Sequence, residues 1–277
     1  MLLSNHIHKL IAMALEEDIG SGDVTTEHLV TAQAMGHAVI VAKEDLIISG
    51  LDVARRVFEC IDPGVVFEAQ FQDGDRIQTG QTVVELSGRL CTLLTGERTA
   101  LNFLQRLSGI ATHVRCYVEM LEEKPVKLLD TRKTTPGWRE LEKYAVRTGG
   151  ADNHRMGLYD AVLIKDNHIA AAGGIGRAVQ SIRAAVGETM TIEVETTNMD
   201  EVRDAVDAGA HIIMLDNMDL DQIRAAIKWV DGRAKLEVSG GITRKHLADL
   251  ADTGIDFISS GALTHSARAV DLSMRIS

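Results

Sequence analysis

Hydrophobic positions change their spacing near residue 90, and the change divides the chain into two textures. At the start, Ile7, Leu10, Ile11, Ala14 and Leu15 recur at i, i+3, i+4, i+7 and i+8, which predicts an amphipathic helix. HAVIVAKE, VVFEAQF and QTVVELSG are short, β-branched and apolar, and read as strands, while LDVARRVFECI has helical spacing. The run DGDRIQTGQTVVELSG carries closely spaced turn glycines, as small β-sandwiches and swinging-arm carrier modules do. A carrier needs a modifiable lysine at the hairpin tip, and this tip has none. A plain sandwich is the expectation.

The second texture opens with a helical region expected from Thr95 to Glu123. Six apolar runs follow: VKLLDTRK, DAVLIKDNH, TIEVETT, HIIMLDN, AKLEVSGG and DFISSG. Helical patterns such as GRAVQSIRAAVG, MDEVRDAVDAG, LDQIRAAIKWV and RKHLADLADTG separate most of them. Short apolar strands alternating with helices predict a parallel sheet. Strands that each end in polar residues favour an incomplete β/α barrel over an open sheet. AGGIGRA, from Ala172 to Ala178, has the wrong spacing for a dinucleotide-binding loop and reads as a helix entry.

Composition narrows the function classes. A net charge of −11 over 277 residues argues against a general nucleic-acid or anionic-membrane surface. There is no apolar run of the ~18 residues a membrane span needs, and the N-terminus has no basic region leading into a long apolar core. Cytoplasmic is therefore the expected location. Cys60, Cys91 and Cys116 lie far apart without metal-ligand spacing and are expected to be reduced core residues.

In a β/α barrel the chemistry gathers at the C-terminal strand ends. Taken in order these are Asp130, Arg132 and Lys133; Lys165, Asp166, Asn167 and His168; Glu193 and Glu195; Asp216 and Asn217; Ser239, Gly240 and Gly241; then Ser259, Ser260 and Gly261. The first two ends are cationic, the middle two acidic, and the last two small. Glycine-rich ends let backbone N–H groups approach phosphate oxygens. Glu193 and Glu195 share one strand face; Glu193 is read either as a partner of a barrel lysine or arginine or as part of the acidic site. Glu195 and Asp216, nearer the mouth, suit Mg²⁺ and sugar hydroxyls. Arg132, Lys133, His154, Arg155, Lys165 and His168 could converge on a small polyanion, with arginine as the carboxylate fork and lysine as a point charge. His168 could equally be a core histidine. Arg132 and Lys133, adjacent on a strand, are expected to point to opposite sides.

DTRKTTPG, GGADNHRMGLYDAVLIKDNH, IEVE, MLDN, SGGI and SSGALTH, preceded by EDIGSGDVTT and GERTALNFLQRLSGIAT, together resemble the quinolinate phosphoribosyltransferase family over essentially the whole chain. That resemblance implies an α/β protein with an N-terminal open β-sandwich domain and a seven-stranded incomplete barrel. The expected domains are residues 1–108 and 109–269, with a tail at 270–277 packing back on the first. It also implies phosphoribosyl transfer to quinolinate with decarboxylation, Mg²⁺ as cofactor, and a homodimer sharing Arg98 across subunits. By position, Arg132, His154, Arg155 and Lys165 match quinolinate-binding residues. Lys133, Glu195 and Asp216 match the phosphoribosyl pyrophosphate and metal side, and Ser239, Gly240, Gly241, Ser260 and Gly261 the phosphate loops. Two alternatives stay open: a Schiff-base aldolase using Lys165, and a non-catalytic anion-binding paralogue of the kind linked to molybdenum uptake.

Overall fold

A computed structural model describes residues 3–121, 124–187, 189–242 and 244–276. Helix α1 (Asn5–Ile19) buries the predicted stripe of Ile7, Ile11 and Leu15 and starts where Ser4 Oγ accepts the Ile7 N–H at 3.3 Å. The elements α2 (Val24–Leu29), β1 (Met35–Ala42), β2 (Leu46–Ile47), α3 (Leu51–Ile61), β3 (Val66–Ala69), β4 (Arg76–Ile77) and β5 (Thr82–Arg89) follow. Helix α4 (Leu90–Val118) begins directly at the end of β5, before the expected Thr95, because LCTLL is apolar without marking where helical spacing starts. A single 3₁₀ turn, Glu119–Leu121, ends this region, and the expected terminus at Glu123 lies outside the described residues. The remainder is β6 (Lys127–Leu129), α5 (Arg139–Gly149), β7 (Val162–Ile164), α6 (Asp166–Ala172), α7 (Ile175–Val186), β8 (Ile192–Thr196), α8 (Met199–Asp207), β9 (Ile212–Asp216), α9 (Leu220–Val230), β10 (Lys235–Ser239), α10 (Arg244–Ala251), β11 (Phe257–Ser259), α11 (Ala262–His265) and β12 (Leu272–Ile276).

Contacts divide the chain into two compact units. The first takes residues up to Arg115, Thr135–Gly150 and residues from Ala267 onward. Its antiparallel sheet has the order β12-β1-β5-β3, with Ala38 opposite Ile276 in the pairing that brings the C-terminal strand to β1. Residues Thr135–Gly150 are anchored by a buried ion pair: Glu142 is fully buried, and its Oε1 accepts from Arg106 Nη2 at 2.7 Å and Thr135 Oγ1 at 2.8 Å. Trp138 stacks on Phe103 with ring centroids 4.8 Å apart.

The second unit takes Cys116–Thr134 and Ala151–Ser266 and holds the parallel sheet, ordered β6-β11-β10-β9-β8-β7. Six strands were legible in the sequence and seven implied by the resemblance. The seventh position is one residue long: Asp152 bridges Leu129, donating its N–H to Leu128 O at 2.9 Å and accepting from Asp130 N at 3.2 Å. A single bridging residue leaves no periodicity to read. The sheet curls from Asp152 round to β7 without closing, so the barrel is incomplete.

Candidate active site

Alternation along the barrel strands decides what faces inward. On β8, Ile192 and Val194 point one way and Glu193 and Glu195 the other, and the register places Leu163 opposite Glu193 and Glu195 opposite Met214. On β10, Glu237 lies opposite Met214 and Ser239 opposite Asp216. Leu163, Lys165, Glu195, Met214, Asp216, Glu237, Ser239 and Ser259 therefore share the lining of one pocket of about 570 Å³. Thr131, Arg132, Lys133, His154, Arg155, Asn217, Gly240 and Gly241 complete it.

The cationic wall is built by loops. Strand β6 stops at Leu129, so Arg132 and Lys133 are not on a strand and the expected strand alternation does not separate them. Both line the pocket, on a turn held by short-range hydrogen bonds: Thr131 Oγ1 accepts the Lys133 N–H at 3.1 Å, and Arg132 O accepts the Thr134 N–H at 2.9 Å. Lys133 runs over Gly261, where a Cβ would come within 2.7 Å of Lys133 Cδ, and Thr264 Oγ1 donates to Lys133 O at 2.8 Å. The second loop hangs from Asp130, which is fully buried and accepts from Asn153 Nδ2 at 2.7 Å and from the His154 N–H at 2.8 Å. That anchor delivers His154 and Arg155. Burial and the like charge of Arg132 hold the Arg155 guanidinium below its ordinary value. Arg132 Nε is itself buried without a hydrogen-bond partner among the described residues. Two like-charged guanidiniums, one partly desolvated and the other with a buried, unsatisfied Nε, are a ready receptor for a dianion.

The acidic wall faces them. Lys165 Nζ is paired with Glu195 Oε2, and Asn217 Nδ2 donates to Asp216 Oδ2 at 2.8 Å. Asn217 takes a positive φ of 55°, and Gly240 beside it has φ 93°; a Cβ at Gly240 would sit 2.8 Å from the Asn217 backbone N. Ser239, Gly240 and Gly241 line the pocket. Ser260 is buried, its hydroxyl donating to Ile242 O at 3.2 Å and accepting the Ala262 N–H at 3.3 Å. His168 is not in the core and does not line this pocket: it is exposed, and its Nδ1 accepts the Lys165 N–H at 3.0 Å, capping α6. Arg98 stands exposed on α4 in the first unit.

At the back wall of the pocket lies a group that the sequence showed only in part. His154 Nε2 is 2.9 Å from Glu193 Oε2 and 3.7 Å from Glu237 Oε2. Glu193 thus meets a histidine, not the lysine or arginine that was one expectation for it. The Arg155 N–H donates to His154 Nδ1 at 2.8 Å, which makes Nδ1 an acceptor and puts the neutral ring's proton on Nε2, directed at Glu193. Burial and the Glu193 charge push the Glu237 carboxyl up to about 7. Glu237 was missed in the sequence, although KLEVS places an acid within an apolar strand much as TIEVE does.

An incomplete β/α barrel with a strand-end pocket, cationic on one wall and acidic on the other, defines the class: a barrel enzyme acting on small anionic substrates. The family model for the quinolinate phosphoribosyl transferase C-terminal domain matches residues 110–275, and that for its N-terminal domain matches residues 23–108. The chain belongs to the quinolinate phosphoribosyl transferase family. It is 47% identical to a probable nicotinate-nucleotide pyrophosphorylase [carboxylating] of Synechocystis, over 95% of this chain and 90% of the relative. It is 45% identical to the Bacillus subtilis protein of the same description, over 98% and 94%. Among solved structures, NadC from Streptococcus pyogenes superposes with a TM-score of 0.96 at 44% identity, covering 100% of this chain and 98% of that one.

Proposed function

We propose that this enzyme transfers the phosphoribosyl group of phosphoribosyl pyrophosphate to the ring nitrogen of quinolinate. The adjacent carboxylate leaves as CO₂, yielding nicotinate mononucleotide and pyrophosphate for NAD biosynthesis. The observation that carries this reading is the pair of crowded guanidiniums, Arg132 and Arg155, on a chain that the family models match in both halves. Quinolinate brings two carboxylates to that pair, with His154 and Lys165 at its flanks. Lys133 and the Ser239, Gly240 and Gly241 loop face the phosphorylated sugar, with Ser260 and Gly261 as a second phosphate loop and Gly261 packed against the Lys133 stem. The chemistry needs positioning and electrostatics more than a nucleophile.

Glu195 and Asp216 would hold Mg²⁺. They project from neighbouring strands into one pocket, and among the described residues Glu195 engages Lys165 and Asp216 engages Asn217, leaving lone pairs free. Mg²⁺ commonly takes one or two carboxylates together with substrate phosphates, which this donor set fits. When bound, the ion offsets charge on the departing pyrophosphate. The same carboxylates favour positive charge developing at the anomeric carbon. The working form is a homodimer in which Arg98 of each subunit completes its partner's site, and the enzyme acts in the cytoplasm; among the described residues no helix is long and apolar enough to cross a membrane.

Lys165 is ion-paired with Glu195, a setting that does not free its amine for imine formation, so the aldolase alternative gains no support. The test is an assay with quinolinate, phosphoribosyl pyrophosphate and Mg²⁺ that follows CO₂ and nicotinate mononucleotide together. No turnover by folded protein would sink the reading.

A further inference from the structure

Decarboxylation leaves a demand that the pocket's cations do not meet. When the bond between the ring carbon C2 and its carboxylate breaks, the electron pair stays on C2 beside the cationic ring nitrogen. CO₂ departs, and C2 needs a proton to become the C–H of the product. Four groups lining the pocket can carry one: Lys133, His154, Lys165 and Glu237. Lys165 is held by Glu195, and the Lys133 side chain lies over Gly261. The His154 proton sits on Nε2 and points away at Glu193, while Nδ1 is closed by the Arg155 N–H.

Glu237 is different. Its side chain is 1% exposed, yet neither carboxyl oxygen has a hydrogen-bond partner among the described residues. A buried carboxylate with both oxygens unpaired is costly, whereas a protonated carboxyl is tolerated. The groups facing it are Glu193 on β8, His154 before β7, Lys165 at the end of β7, and Ser259 on β11, whose hydroxyl lies close by outside hydrogen-bond geometry. Glu193 favours the protonated form, and His154, Lys165 and Ser259 oppose it without prevailing over burial. A metal ion held jointly by His154, Glu193 and Glu237 would need the Nε2 lone pair, which the Nδ1 contact leaves protonated.

We propose that Glu237 is the proton donor that completes the reaction, its carboxyl hydrogen taking the place of the departing carboxylate at C2. The inference rests on the phosphoribosyl-transfer reading. The O–H bond of Glu237 breaks, the C2–H bond forms, and Glu237 is left as a carboxylate. Solvent restores its proton once the product leaves the pocket. The uptake of one proton per turnover matches the exchange of a carboxylate for a hydrogen.

Rapid-quench single turnovers of wild type, Glu237→Gln and Glu237→Asp test this, with pyrophosphate and nicotinate mononucleotide read separately. In Glu237→Gln, quinolinate affinity stays within about twofold and pyrophosphate still appears, while nicotinate mononucleotide forms roughly 100-fold or more slowly, the range for losing a general acid. Glu237→Asp recovers part of that rate. The wild-type rate of product formation falls as pH rises and the carboxyl ionises, and this limb is absent in Glu237→Gln. Product formation at the wild-type rate in Glu237→Gln overturns the proposal. So does loss of quinolinate binding in both variants, which makes the residue structural. If wild type releases no pyrophosphate, the phosphoribosyl-transfer reading falls, and the donor role falls with it.

Discussion

Replacing Arg132 by methionine should weaken quinolinate binding while leaving the free enzyme as stable as before, or more so. The two effects have separate origins. In the free protein, the Arg132 charge opposes that of Arg155, and its Nε is buried without a hydrogen-bond partner among the described residues, so both features cost stability. Methionine keeps most of the volume of the stem and removes that repulsion. In the complex, the guanidinium gains a carboxylate, and a hydrogen bond to a charged group contributes about 1.5–3 kcal/mol. At about 1.4 kcal/mol per decade, the quinolinate Kd should rise roughly 10- to 150-fold. Calorimetric titration gives the first quantity and thermal unfolding of the ligand-free protein the second. Arg132→Lys keeps the charge but loses the planar fork, so its Kd should fall between wild type and Arg132→Met. An unchanged Kd in Arg132→Met would refute the dianion receptor. A large drop in Tm without ligand would show instead that Arg132 holds the fold.

Three further outcomes follow from the geometry. Gly240→Ala puts a Cβ 2.8 Å from the Asn217 backbone N at a positive φ of 93°; it should raise the KM for phosphoribosyl pyrophosphate more than that for quinolinate, measured in steady state. Asp130→Asn turns an acceptor oxygen into an NH₂ group facing the donors of Asn153 and His154; it should cost about 1–3 kcal/mol in denaturant unfolding and weaken quinolinate binding as the loop loses its anchor. Mixing inactive Arg98→Ala with inactive Arg132→Ala protein should restore about a quarter of wild-type activity, since half the dimers are mixed and each holds one intact site; no recovery after subunit exchange would end the shared-site claim.

What the sequence revealed and what it hid separate along physical lines. Helix α3 was legible residue for residue, because LDVARRVFECI keeps one apolar face throughout. Barrel strands were legible as apolar runs between helices, and their polar ends located Lys165, Glu195, Asp216 and Ser239 in one pocket without any long-range information. Features set by loop conformation were not legible. Nothing in GGADNHRMG marks Asp152 as the seventh strand position, because a one-residue bridge has no period. Nor could LLDTRKTTPG show that its strand ends at Leu129, where the hydrogen bonds of Thr131 and Thr134 turn the chain. The neutral His154 ring depends on a backbone N–H from its own neighbour, a matter of local geometry and not of residue type.

The buried acids account for how an enzyme of net charge −11 can keep an anion receptor assembled. Arg132 and Arg155 repel each other, and with no ligand present some counter-charge must hold them in place. Glu193 supplies it, favouring the charged form of Arg155 while accepting the His154 proton. A second full negative charge there would oppose the dianion the pocket is built to receive. Glu237, raised toward its protonated form by burial and by Glu193, withholds that charge. Pairing one buried acid with His154 and pushing the other toward its protonated form, behind two guanidiniums, is thus a compromise between assembling the empty site and admitting the substrate, and the proton Glu237 holds is the one the proposed final step consumes.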